Sequence, residues 1–109
     1  MAKPLEVYLV NVPFEDMNKS KVRPALVIRA TNNEYYVYKV TSKFNPKDKF
    51  RKEHYYAMKD WHGAGLTKKS YIDTHRAIAM PKYVIEKGCI LGKITAIDKV
   101  GLAEFISNK

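Results

Sequence analysis

The chain is short of acid. Eleven Asp and Glu stand against twenty Lys and Arg in 109 residues, a formal charge of +9. Folding does not require this excess; it points to polyanionic partners, namely nucleic acid, an anionic membrane face or an acidic protein segment. Cysteine is nearly absent: Cys89 alone cannot form a disulfide within the chain, which fits a reducing cytoplasm. His54, His62 and His75 show no metal-ligand spacing with that cysteine, so no metal and no cofactor is expected. No apolar run approaches the length of a membrane span. The opening "MAKPLEVYLV" is too short and interrupted for a signal peptide, and no membrane association is expected. There is no Gly-rich phosphate loop and no Ser nucleophile elbow, which sets aside P-loop and α/β-hydrolase chemistry. Repeats, low-complexity tracts and linkers are also missing. Residues 1–109 are therefore read as a single domain, large enough to bury roughly two-thirds of its unfolded surface.

What is present reads as strands. Glu6 to Val12 is rich in β-branched and aromatic residues, and Pro13 stops it. A polar connection, "PFEDMNKSK", leads to "RPALVIRA". "TNNE" is a turn signal, and "YYVYKVTS" follows as the other arm of a hairpin. "KFNPKDKFRKE" reads as a basic loop, "HYYAMKDW" as a fourth strand, "HGAGL" as a turn and "SYIDTHRAIAM" as a fifth strand. "YVIEKGCILGKI" reads as a helical turn, a turn at Gly88 and a short strand. Thr95 and Asp98 resemble a capping box that opens a helix from Ala96 to Ile106, weakened by Gly101. Short strands, frequent turns and one terminal helix predict a mainly β fold, a small barrel with a C-terminal α-helix.

Alternation along strands suggests where chemistry could gather. Arg23, Ala25, Val27 and Arg29 share a face of the second strand. Lys39 and Thr41 share one of the third, with Val40 and Ser42 opposite. Tyr71, Asp73, His75 and Ala77 share one of the fifth. Taken singly, these polar groups are ordinary solvated side chains. Taken together, they match the needs of RNA cleavage by its own 2′-hydroxyl. Arg23 suits the extra charge on phosphate, Thr41 or Ser42 can donate to the same phosphate, Asp73 can accept a proton and His75 can shuttle one. "KFNPKDKFRKEH" interleaves Phe44 and Phe50 with cations, a mixture suited to single-stranded nucleic acid.

In order along the chain, "EVYLVNVPFED", "KVRPALVI", a strand ending in "VTS", "AGLTKKSYIDTHRAIAM" and "GCILGKI" resemble the PemK/MazF family of toxins from type II toxin–antitoxin systems. The resemblance covers almost the whole chain. It implies an SH3-like barrel, a homodimer, and an mRNA interferase that cuts single-stranded RNA at short sequences without metal, leaving a 2′,3′-cyclic phosphate. It also implies a cognate acidic antitoxin. The family's arginine falls on Arg23, its threonine or serine on Thr41 and Ser42, and its later acidic residue on Asp73. Some members carry an arginine two residues before that acid, where Tyr71 stands here. The cations expected along the RNA are Lys21, Arg29, Lys39, Lys43, Lys47, Lys49, Arg51, Lys69 and Arg76. The rival expectation is a barrel of this type that does not cut, and instead contacts a protein such as gyrase or only holds RNA.

Overall fold

The structure, a computed structural model, describes residues 1–13 and 20–108, without the side chains of residues 12, 13, 20 and 21. The connection expected over 14–19 and the side chain of Lys21 lie outside the described residues. In chain order the elements are β1 (Glu6–Pro13), β2 (Ser20–Ala30), β3 (Glu34–Thr41), α1 (Lys49–His54), β4 (Tyr55–Ala57), β5 (Tyr71–Pro81), α2 (Lys82–Glu86), β6 (Cys89–Lys93) and α3 (Ala96–Ser107). The strands form one antiparallel sheet in the order β4-β5-β3-β2-β1-β6.

Period-two alternation gives this sheet two buried faces. Val7, Leu26, Val40, Tyr56 and Ile72 line one face and pack beneath Leu102 of α3 and the segment carrying Met58, Ala64 and Leu66. Val10, Ala25, Val27, Tyr35, Val37 and Met80 line the other, covered by Ile85 of α2 and by Ala2. Fully burying each of the larger aliphatic side chains contributes roughly 1.5–3 kcal/mol. α2 is only five residues long, so one end of this second face is left uncovered, and the candidate site residues gather there.

The mainly β class and the terminal helix agree with the sequence reading; a closed barrel does not appear. Among the described residues no hydrogen-bonded pairing joins β4 to β6. The two edges are bridged by other means. Tyr56 of β4 donates its hydroxyl to Asp98 of α3 at 2.7 Å, and residues 61–66 fold back against β6. There Gly65 has φ +90°, and a Cβ on Gly92 would stand 2.5 Å from the Ala64 carbonyl oxygen. This seam needs glycine because backbone meets backbone.

Three local readings are corrected. The basic loop contains α1, opened by Asp48, whose side chain accepts from the Arg51 amide at 3.2 Å. The fourth strand shrinks to Tyr55–Ala57, because the chain turns at Trp61, whose carbonyl accepts from both Ala64 and Leu66. Thr95 is the N-cap residue of α3 but makes no side-chain cap; its hydroxyl donates to Asp60 at 2.8 Å. Asp98 is fully buried and accepts from the Tyr56 hydroxyl and from the Lys59 and Asp60 amides. It anchors a neighbouring segment instead of closing a capping box. Gly101 fits α3 against the Tyr56 ring, where a Cβ would collide. Among the described residues, no helix is long and apolar enough to cross a membrane.

Candidate functional site

The register of the sheet gathers the site. Ala25 of β2 pairs with Lys39 of β3; beyond that pair, Arg23 and Thr41 line the same depression. Lys39 pairs with Asp73 of β5, and Asp73 with Tyr55 of β4. Side chains from four adjacent strands thus point from one face at the end that α2 leaves open. Arg23, Lys39, Val40, Thr41, Lys43, Arg51, Tyr55 and Asp73 line a depression of about 230 Å³. Four cations surround one carboxylate, a setting that attracts anionic ligands.

Hydrogen bonds prepare individual groups. The Thr41 Oγ1 accepts from the Lys43 amide at 3.1 Å, which leaves its own proton to donate outward. Asp73 is buried; its Oδ1 accepts from the His75 amide at 3.0 Å, and its Oδ2 lies 3.8 Å from Lys39 Nζ. That ion pair is long, and Lys39 is partly exposed, so it contributes about 0–1 kcal/mol. Arg51 lies 3.5 Å from Asp48, so the carboxylate that caps α1 also orients a cation toward the pocket.

Of the expected catalytic residues, Arg23, Thr41 and Asp73 come together. Ser42 points to a second depression, of about 240 Å³, on the far side of Arg23 and Thr41. His75 is not in the site. Between the pairs Val37–Ile78 and Lys39–Asp73 a single residue intervenes on β3 but four, Thr74 to Ala77, on β5. This bulge breaks the alternation that would have kept His75 on the face of Asp73. The His75 ring instead packs against Phe50 and His54, with centroids 4.6 and 4.8 Å away. Arg29 leaves its expected face for the same kind of reason. A register shift between Val27 and Arg29 turns it, and its guanidinium lies 3.9 Å over the Tyr36 ring.

The remaining expected cations divide. Lys39, Lys43 and Arg51 line the depression. Lys47 is exposed just before α1, Lys49 is exposed in its first turn, and Arg76 is exposed on the bulge. Lys69 stands 5.9 Å over Tyr71. Phe44 already stacks on Tyr71 at 4.6 Å and is half-buried, whereas Phe50 is half-exposed. Tyr55 was not expected in the site. It enters because α1 ends at His54 and delivers the next residue to the sheet edge; the helix start at Asp48 was the available signal. The tyrosines with raised pKa lie elsewhere. Burial, and then Asp98, push Tyr56 well up, and burial also raises Tyr35. The Thr95 hydroxyl, helped by the Gly63 amide, holds the Asp60 carboxyl below its ordinary value.

Comparison with protein-family models, with curated proteins and with solved structures returned no match.

Proposed function

We propose that the chain is a metal-independent endoribonuclease of the PemK/MazF toxin type, an mRNA interferase on an open SH3-like sheet that acts in the cytoplasm as a homodimer and is held in check by an acidic antitoxin. The observation that carries this reading is the convergence of Arg23, Thr41 and Asp73 on one cationic depression. Each has a role. Arg23 grips the non-bridging phosphate oxygens through its planar fork. Thr41 donates its hydroxyl proton to the same phosphate. Asp73 takes the proton from the 2′-hydroxyl as that oxygen bonds to phosphorus and the bond to the 5′ oxygen breaks. With His75 turned away, Lys39 gives a proton to the departing 5′ oxygen and recovers one from Asp73, its neighbour at 3.8 Å. The products are a 2′,3′-cyclic phosphate and a 5′-hydroxyl.

Purified protein should cut single-stranded RNA in the presence of chelator, and sequencing of the ends should report the cyclic phosphate. Arg23→Ala should lower the rate by about a hundred- to a thousand-fold, the usual effect of losing one preorganised donor, with its circular dichroism unchanged. Equal rates for the variant and the wild type would overturn the assignment. The position of His75 favours one rival, RNA binding without cleavage. In that case both proteins leave RNA intact, and Arg23→Ala only weakens a salt-sensitive complex.

A further inference from the structure

We infer that Phe50, His54 and His75 form a ring clasp that holds α1 on the bulge of β5 and so sets Arg51 and Tyr55 at the depression. His75 is thereby a positioning residue, and its effect on cleavage rests on the reading above. α1 needs such a clasp. It has six residues, none of them buried, whereas helices shorter than about 12–15 residues are marginal on their own. The Asp48 side chain fixes its first turn, but a cap does not fasten a helix to a sheet. The three rings do. Phe50 and His54 stand one turn apart on α1, with centroids at 4.5 Å. His75, from the bulge, closes the triangle at 4.6 Å from Phe50 and 4.8 Å from His54. All three pairs are tilted or edge-on, as aromatic rings prefer.

Two hydrogen bonds hold the backbone on either side of the rings. The Thr74 hydroxyl donates to the His54 carbonyl at 2.7 Å. The His75 amide donates to Asp73 Oδ1 at 3.0 Å, which ties the clasp to the carboxylate of the site. Residues next in sequence point about 100° apart around a helix. Fastening Phe50 and His54 to the bulge therefore aims Arg51 elsewhere, and Arg51 lines the depression. Tyr55 follows His54 directly into β4 and lines the depression as well. The imidazole that left the face of Asp73 thus still acts on the site, through the helix it holds.

The test reads amide hydrogen exchange in α1 and RNA cleavage on the same variants. The amides to follow are those of Arg51, Lys52 and Tyr55, which bond to the Asp48 side chain, the Asp48 carbonyl and the Arg51 carbonyl. His75→Ala removes two contacts between partly exposed rings, so these amides should exchange about 5- to 30-fold faster, the equivalent of about 1–2 kcal/mol. Misplacing Arg51 and Tyr55 should slow cleavage about 10- to 100-fold. His75→Phe keeps the ring and discards any proton chemistry; it should restore both exchange and cleavage to wild-type rates. Unchanged exchange in His75→Ala would overturn the inference, as would faster exchange with undiminished cleavage. It would also be overturned if His75→Phe behaved like His75→Ala in either measurement; a failure in cleavage alone would make the imidazole a proton carrier. If the exchange pattern appears but the wild type cuts no RNA, the clasp stands and the cleavage reading falls.

Discussion

Asp98 should be the most sensitive single position for stability outside the apolar core. Its carboxylate is fully buried and holds three donors, the Tyr56 hydroxyl at 2.7 Å and the Lys59 and Asp60 amides at 2.8 Å each. Asp98→Ala leaves all three without an acceptor. A fully buried orphan donor costs about 1–3 kcal/mol. The Tyr56 hydroxyl incurs this in full, and the two amides, only partly buried, incur less because water can reach them. Removing a buried charge returns part of its desolvation penalty. The net expectation is a loss of about 3 kcal/mol, a large share of the 5–15 kcal/mol typical of a domain. It should lower the melting temperature by roughly 10–20 °C, at about 4–8 °C per kcal/mol. Urea titration followed by circular dichroism measures it. Tyr56→Phe removes only one donor and leaves both amides bonded, so its loss should be about 1 kcal/mol. In a double-mutant cycle the two changes should couple, because they share one bond. If Asp98→Ala lies within about 0.5 kcal/mol of the wild type, the anchoring role assigned to this carboxylate is wrong.

Alkaline pH should unfold the protein through its buried phenols. Tyr56 has its pKa raised above the ordinary 10.0 by burial and by Asp98. The folded state therefore keeps its proton when the unfolded chain has lost it. The resulting stability is fully present below the unfolded pKa and is lost as pH climbs toward the raised folded value. Urea titrations in this alkaline range should show Tyr56→Phe declining less steeply than the wild type; parallel slopes would refute the coupling. Gly92→Ala should destabilise by about 1–3 kcal/mol, as overpacking does, because its new methyl group meets the Ala64 carbonyl and neither backbone can yield freely. An unchanged denaturation midpoint would mean that the seam between residues 61–66 and β6 is looser than described.

The legible part of this molecule was the part governed by alternation. β1, β2, β3 and β5 were readable because β-branched and aromatic residues crowd them between turn and proline signals, with Val7, Leu26, Val40 and Ile72 falling on one buried face. The meeting of Arg23, Thr41 and Asp73 followed from that alternation plus neighbouring strands. The positions of His75 and Arg29 did not, because a bulge changes which face every later residue shows, and neither "DTHRA" nor "VIRA" carries a marker for one. α1 was missed because its composition is that of a solvated basic loop, although Asp48 three residues ahead of Arg51 was a usable start signal. Asp98 looked like a helix-capping acid because local spacing cannot reveal that a distant pair of amides and a phenol from another element will use it. The absence of strand-to-strand closure among the described residues was equally hidden, since it depends on how the segment after β4 returns across the sheet.

The four residues from Thr74 to Ala77 also leave the ladder of an otherwise paired strand, Thr74 and His75 held against α1 and Arg76 and Ala77 exposed at the tip. One end is fastened by Ile78 and Met80 in the apolar layer under α2, the other by Asp73 and Ile72 next to the depression. Length can therefore change at the exposed tip, between Arg76 and Ala77, without being transmitted to either anchorage. Evolution could add or trim surface features there at little risk to the chemistry. For the same reason, it is a natural place to graft a spectroscopic tag within sight of the pocket.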